Sequence, residues 1–260
     1  MNTTHTKLLF TSWLLLAGHV LFAQNAHFTT SGTVEFNKTV NMYAQIQKEI
    51  TKDNEAWTQP AFDAFKKNHT QFLVLKSTLK FADNKMLFIP QKADDNPTGG
   101  WFDAPMAGQD NTIYSDLSAS QNVIQKQVFE QTFLVKDSTR KIKWKITDET
   151  RDVAGYTCRR ANGIMMDSIY VVAFYTDKIH VSGGPESFNG LPGMILEVAL
   201  PHENVIWTAT KITDINIADN TLIPPKKGKP VNNKQLKATL ESVMKNWGDQ
   251  AQIYLKGFLF

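Results

Sequence analysis

One cysteine, Cys158, stands in 260 residues. An intramolecular disulfide is therefore excluded in any redox compartment. No cysteine lies at the end of the apolar N-terminal segment, which excludes a diacylglyceryl anchor at that point. An excess of one charge is also missing. Lys and Arg total 28 against 25 acids, a net charge of +3. Composition so near neutral gives no sign of a nucleic-acid partner or of a broadly basic molecule. The single basic run, Lys226-Lys227-Gly228-Lys229, lies between prolines and reads as a solvated linker.

Motifs for metal and nucleophilic chemistry are missing too. His27, His69, His180 and His202 follow the N-terminal segment, and none pairs with another at metal-ligand spacing. His-Glu-x-x-His, Cys-x-x-Cys and Gly-x-Ser-x-Gly do not occur. No metal, no cofactor and no catalytic residue is expected from these patterns. Cys158, in an apolar strand beside Arg159 and Arg160, reads as a small buried side chain. Asp148, Glu149 and Asp152 read as a solvated, charged turn.

The chain opens with Lys7, then an apolar run from Leu8 to Phe22, then Ala23 before Gln24. Such a basic residue, short apolar core and small residue at the cut describe a signal peptide over 1–23. Export to the periplasm or the outer membrane is expected, with no integral membrane segment after cleavage. Residues 24–260 then form one domain, whose length suits a large β-rich core.

Apolar residues four apart predict helices over Asn41 to Ile50 (Met42, Ile46, Ile50) and around Trp57, Ala61 and Phe65. Asp94 to Gly100, before Trp101 and Phe102, is a loop by composition. Strands are expected from Gly32, over Thr70 to Phe81 and Lys85 to Ile89 about an Asp83-Asn84 turn, and over Asn111 to Ser115, Gln121 to Val135 and Lys141 to Ile146. Tyr156 to Ile164 and Ser168 to Tyr175 flank Asn162-Gly163, a pair that favours reversal. Met194 to Leu200 and Val205 to Ile212 follow, and Leu236, Leu240, Val243 and Trp247 mark one C-terminal helix. The fold class is mainly β (α+β): a curved, mostly antiparallel sheet or open half-barrel, short helices near the N-terminus and one at the C-terminus.

The densest punctuation lies at Gly183-Gly184-Pro185-Glu186-Ser187-Phe188-Asn189-Gly190-Leu191-Pro192-Gly193, directly before Met194 to Leu200. A strand follows rather than a helix, so the loop is no phosphate cradle. It reads as a rigid turn, with Gly190 and Gly193 at positive φ. Glu186, Phe188 and Asn189 are the contact groups it would offer if it also binds.

Gly190-Leu191-Pro192-Gly193-Met194-Ile195 resembles the name-giving signature of the GLPGLI family, exported proteins of the Bacteroidota. Three blocks precede it in the family's order: Trp144-Lys145-Ile146, Gly155 to Ala161, and Ala173 to Ile179. Residues 140 to 200 carry the likeness, with Met194 where the family has leucine. The resemblance implies export, a β-rich body and association with outer-membrane systems such as TonB-dependent receptors. It carries over no catalytic or binding residues. Trp101, Phe102, Trp144, Tyr156, Phe174, Tyr175 and Trp207 suggest core packing or an apolar concavity. A non-enzymatic envelope protein binding an apolar ligand or an outer-membrane partner is the expectation. The alternative is a hydrolase-like envelope enzyme whose site is assembled from dispersed residues.

Overall fold

The computed structural model describes residues 29–91, 105–108, 110–248 and 250–260. The leader and the 94–100 loop with Trp101 and Phe102 lie outside them. Period-two patterning dominates. β1 (Ser31–Asn41) buries each second residue, Gly32, Val34, Phe36, Lys38 and Val40. α1 (Met42–Glu49) follows, its first turn capped by the Asn41 side chain, which accepts from the Ala44 N–H. α2 (Glu55–Asn68) buries Thr58, Phe62 and Phe65. The stripe expected through Trp57 is rotated, because Phe62 and Phe65 pack edge-on against Tyr43 and leave Trp57 54% exposed.

The chain continues through β2 (Phe72–Ala82), β3 (Lys85–Pro90), the one-turn α3 (Pro105–Gly108), β4 (Thr112–Asp116), β5 (Gln121–Val128), β6 (Gln131–Ser138), β7 (Lys143–Val153) and β8 (Tyr156–Met165). Then come β9 (Ile169–Thr176), β10 (Met194–Leu200), β11 (Val205–Asp214), β12 (Lys229–Val231), α4 (Asn233–Val243) and α5 (Gln250–Leu259). One sheet holds all twelve strands, in the order β12-β6-β5-β4-β3-β2-β1-β11-β10-β9-β8-β7. Among the described strands only β12 against β6 pairs in parallel. The mainly β, mostly antiparallel architecture is as expected from the sequence. Among the described residues no helix is long and apolar enough to cross a membrane.

Several turns fall elsewhere than composition suggests. Gln121 to Val135 is two strands, reversed at Phe129-Glu130 with Phe129 at φ +51°. Asn162-Gly163 is not a reversal but part of β8, which turns at Met166-Asp167 (φ +50° and +62°). Gly163 serves close packing instead, since a Cβ there would lie 2.9 Å from both Ile142 and the Trp144 ring. Asp148, Glu149 and Asp152 belong to β7 rather than to a turn, and the chain reverses at Ala154-Gly155 (φ +49° and +84°). β7 also carries a register shift between Ile146 and Thr150. The expected single C-terminal helix is two, because Gly248 at φ +57° interrupts the helical path. Leu236 and Leu240 are buried, whereas Val243 and Trp247 are exposed.

α5 shows how far the sheet bends. Lys126 of β5 reaches the Phe258 carbonyl at 2.7 Å, and the Phe260 ring stacks on Trp207 of β11 at 5.5 Å. β5 and β11 are five places apart in the sheet, about 24 Å if it were flat. Phe258 on α5 and Phe260 just past its end reach both, so the sheet wraps around α5.

Gly190 and Gly193 take positive φ, +93° and +146°, as expected. A Cβ on Gly193 would overlap the Thr176 carbonyl, whereas one on Gly190 would meet only the Trp144 indole at 3.5 Å. Gly193→Ala should therefore lower the unfolding free energy by roughly 1–3 kcal/mol, and Gly190→Ala by about 1 kcal/mol from backbone strain alone. Urea titration of the two variants beside the parent checks the order.

Candidate functional site: an aromatic groove above a buried ionic cluster

The loop expected to present Glu186, Phe188 and Asn189 folds inward. Glu186 is 5% exposed and Phe188 2%. The Phe188 ring meets Trp207 at 6.0 Å and Phe260 at 5.6 Å. Asn189 is partly buried; its Nδ2 donates to Ser187 O, and its carbonyl accepts from Trp144 Nε1 at 2.9 Å. Gly183 backs onto Met86 and Gly184 onto Ile195, while Leu191 is buried and Pro192 exposed. Ile195 N–H donates to the Gly183 carbonyl at 2.7 Å and Met194 N–H to Ile179 O at 3.1 Å. These bonds hold Gly183, Pro185, Gly190 and Gly193 as a turn against the sheet. A solvent-facing recognition edge of Glu186 and Phe188 is thereby corrected: the attraction of buried lysines and an aromatic pocket draws both side chains inside.

Those lysines were not singled out in the sequence. Lys38 sits in the inward phase of β1 between Phe36 and Val40, and Lys126 in that of β5 between Ile124 and Val128. A lysine at an apolar-phase position was the available signal. Lys38 Nζ lies 5.4 Å from the Trp207 ring centroid, a cation–π contact. Arg140 donates to the carbonyls of Leu259 and Phe260, the latter at 2.6 Å. Lys126 and Arg140 thus hold the carbonyl end of α5, where the helix dipole is negative.

Burial pushes the Lys126 ammonium down to about 7, with Arg140 adding repulsion and Glu186 opposing. Burial lowers Arg140 to about 10 against the pull of Glu186. Lys38 is lowered by burial, opposed by Glu186 and Asp110. Glu186 is raised by burial, and Lys38, Lys126 and a hydrogen bond from Asn111 hold it back. Among the described residues, Glu186 Oε2, Asn111 Oδ1 and Trp207 Nε1 are buried without a hydrogen-bond partner. The cluster is satisfied in charge more than in hydrogen bonds.

Above it lies a groove. The Phe129 ring is 5.6 Å from Trp247 and 5.0 Å from Phe258, and Trp247 meets Tyr254 edge-on at 5.3 Å. Phe129 and Trp247 remain 45% and 39% exposed. Two open clefts share this pair. One, of about 390 Å³, adds Asp110, Gln127 and Tyr254; the other, of about 760 Å³, adds Gln131, Lys229, Thr239 and Leu240. Phe258 joins groove and cluster, its ring lining the first cleft and its carbonyl bound by Lys126.

A third cleft, of about 230 Å³, gathers Lys48, Glu49, His202, Glu203 and Lys256. Lys256 pairs with Glu203 at 2.8 Å. Burial pushes the half-buried Glu49 carboxyl up to about 7. Cys158 is buried, and desolvation followed by the Glu197 charge pushes its thiol up to about 12. Arg151 is engaged by Glu197 at 2.5 Å. Among the described residues no group of three or more His, Cys, Asp or Glu is placed to hold a metal ion. His69 stacks on Phe65, while His180 and His202 are exposed.

Residues 102–235 match the family profile of the N-glycanase peptide, N-terminal domain. The chain belongs to that family. Two crystal structures of PNGF-II, in the P21 and C2 space groups, align with this domain at TM-scores of 0.50 and 0.51 and at 14% and 13% identity. They cover 81% and 80% of this chain but only 33% and 32% of their own. This N-terminal-type domain thus spans about a third of the length of the proteins it resembles, and at such identity the likeness is one of fold. No curated protein matches the sequence.

Lys126 supplies a test of the buried cluster. Its folded pKa lies below its unfolded value near 10.5, so between about 7 and 10.5 the unfolded chain binds more protons and stability rises with pH. The denaturation midpoint should increase from pH 7 to pH 9.5, and Lys126→Met should flatten that increase. Urea melts at the two pH values compare the slopes.

Proposed function

We propose that this chain is a non-catalytic recognition domain of an exported, envelope-associated protein, and that the groove at Phe129 and Trp247 binds the sugar rings of an N-linked glycan on a polypeptide. Phe129 carries the argument. It occupies a left-handed turn position at φ +51° where glycine or asparagine fits without strain, yet its ring is nearly half exposed. A large side chain held there at a conformational cost, and used only in part for packing, is suited to a ligand. Aromatic faces accept the apolar C–H face of a sugar, while Asp110, Gln131 and Thr239 line the same clefts and suit its hydroxyls.

The family description supports a glycan over the wholly apolar ligand expected from the sequence, and the open, mixed lining agrees. The GLPGLI-like blocks at 140 to 200 fall inside the matched span, and we take both likenesses to describe one domain type, an open half-barrel closed over α5. An outer-membrane protein bearing such a glycan fits the expectation of an envelope partner.

Intrinsic tryptophan fluorescence titrated with an N-glycosylated peptide, and with the same peptide deglycosylated, tests this reading. Binding should require the glycan. Trp247→Ala should weaken it about tenfold, the scale of one lost aromatic contact. Phe129→Gly relieves the turn and should keep the midpoint of unfolding while losing affinity. Equal binding of the deglycosylated peptide, or of fatty acid alone, overturns the glycan assignment.

The third cleft favours a second reading, a hydrolase-like enzyme. A carboxyl near pKa 7 beside His202 has the makings of a general acid or base. If the chain cleaves glycopeptide, Glu49→Gln should reduce kcat at least 100-fold, and the parent's pH profile should bend near 7. A glycopeptide cleavage assay across pH 5–9 decides.

A further inference from the structure

The outward face of β7, β8 and β9 is set by register. Lys143 opposes Ile164 and Lys145 opposes Asn162 across β7 and β8, and Ile164 opposes Tyr170 across β8 and β9. Opposed residues share a face, so Lys143, Ile164 and Tyr170 form one row beside Lys145 and Asn162. Trp144 and Gly163, between them, turn inward. Ile164 is 60% exposed, and Met166 at the hairpin tip is 37% exposed. Lys141, Lys143 and Lys145 line a cleft of about 550 Å³ against these two apolar side chains. An adjoining cleft of about 400 Å³ shares Lys141 and Met166 and adds Lys234 and Lys237 from the first turns of α4.

Five exposed lysines therefore surround two exposed apolar side chains. Lys237 has Glu241 at 3.7 Å. Among the described residues the other four have no ion-pair partner. Asp167 is the one carboxylate among the described residues lining the two clefts. A chain with a net charge of only +3 thus gathers a local positive field at one edge of its sheet. Exposed apolar tips within a ring of lysines match an interface that is anionic at its surface and apolar just below.

We propose that this face docks on the phosphate headgroups of an anionic membrane surface, with Ile164 and Met166 entering the headgroup boundary and the five lysines pairing with lipid phosphates. The apolar pair favours lipid over nucleic acid, which would gain nothing from Ile164. The face is distinct from the Phe129 groove, so docking leaves that groove free.

The chain from Gln24 onward, which keeps every described residue, is sedimented with vesicles of phosphatidylcholine containing one-third phosphatidylglycerol, and with phosphatidylcholine alone. Partitioning to the anionic vesicles only, and its loss in 0.5 M salt, is expected. Each lysine removed should weaken partitioning roughly fivefold, so the double variant Lys143→Gln, Lys145→Gln should lose more than tenfold. Ile164→Ser should weaken it severalfold while the salt dependence persists. Trp247→Ala should leave it unchanged. All four substituted side chains are exposed, and melting curves verify the fold. The proposal fails if the parent does not partition, if the double lysine variant partitions like the parent, if 10 mM inorganic phosphate displaces the protein from vesicles, or if a single-stranded DNA oligonucleotide binds the same face more tightly than the vesicles.

Discussion

Two cations holding the end of one helix organise this molecule. Lys126 lies on β5 and Arg140 in the connection that follows the neighbouring β6, and both donate to carbonyls at the end of α5. A buried ammonium is costly unless it is satisfied, so these bonds fix where α5 ends. The position of Phe258 and Phe260 follows from that end. Phe260 then completes an aromatic stack with Trp207 and Phe188, and Phe258 supports Phe129 and the groove. The sheet's bend, the inward turn of Glu186 and the shape of the candidate binding surface all depend on this one anchoring.

Much of the fold was legible because period-two patterning is a direct report of a half-buried sheet. Lys143 to Ile146, Met194 to Leu200 and the Asp83-Asn84 hairpin could be read because local chemistry and tertiary structure agree there. Where they disagree, the sequence misled. Asn162-Gly163 has turn chemistry, but the glycine is needed for its missing Cβ beneath Trp144. Phe129-Glu130 has none, yet the chain reverses there. Gly190 and Gly193 could be foreseen at positive φ because they bracket Leu191-Pro192 in a tight turn, whereas Gly183 and Gly184 in the same loop serve close packing.

The candidate site was hidden for a related reason. Phe129 looked like one more strand aromatic, and Trp247 like one more position on a helical stripe; only the Gly248 break and the left-handed turn bring them together in solvent. Lys38 and Lys126 looked like surface residues by type, although their phase placed them inside. Glu186 was noticed as a loop residue, but it is buried beside the positive charges of Lys38 and Lys126. Residue type spoke for solvent, periodicity for burial, and periodicity was right.

Among the described residues the open sheet has two unpaired edges, and they are unlike. β12 is three residues long, contains Pro230 and joins in parallel, so little backbone is left to template a further strand. β7 is eleven residues long, and its protection is distributed: lysines at one end, and in the middle a register slip whose Asp148 and Glu149 pair with Arg159 and Arg160 of β8. Growth into fibrils or edge-to-edge dimers would need a strand that tolerates both the slip and the charge pattern. A molecule built on twelve strands thus guards both edges without closing its sheet into a barrel.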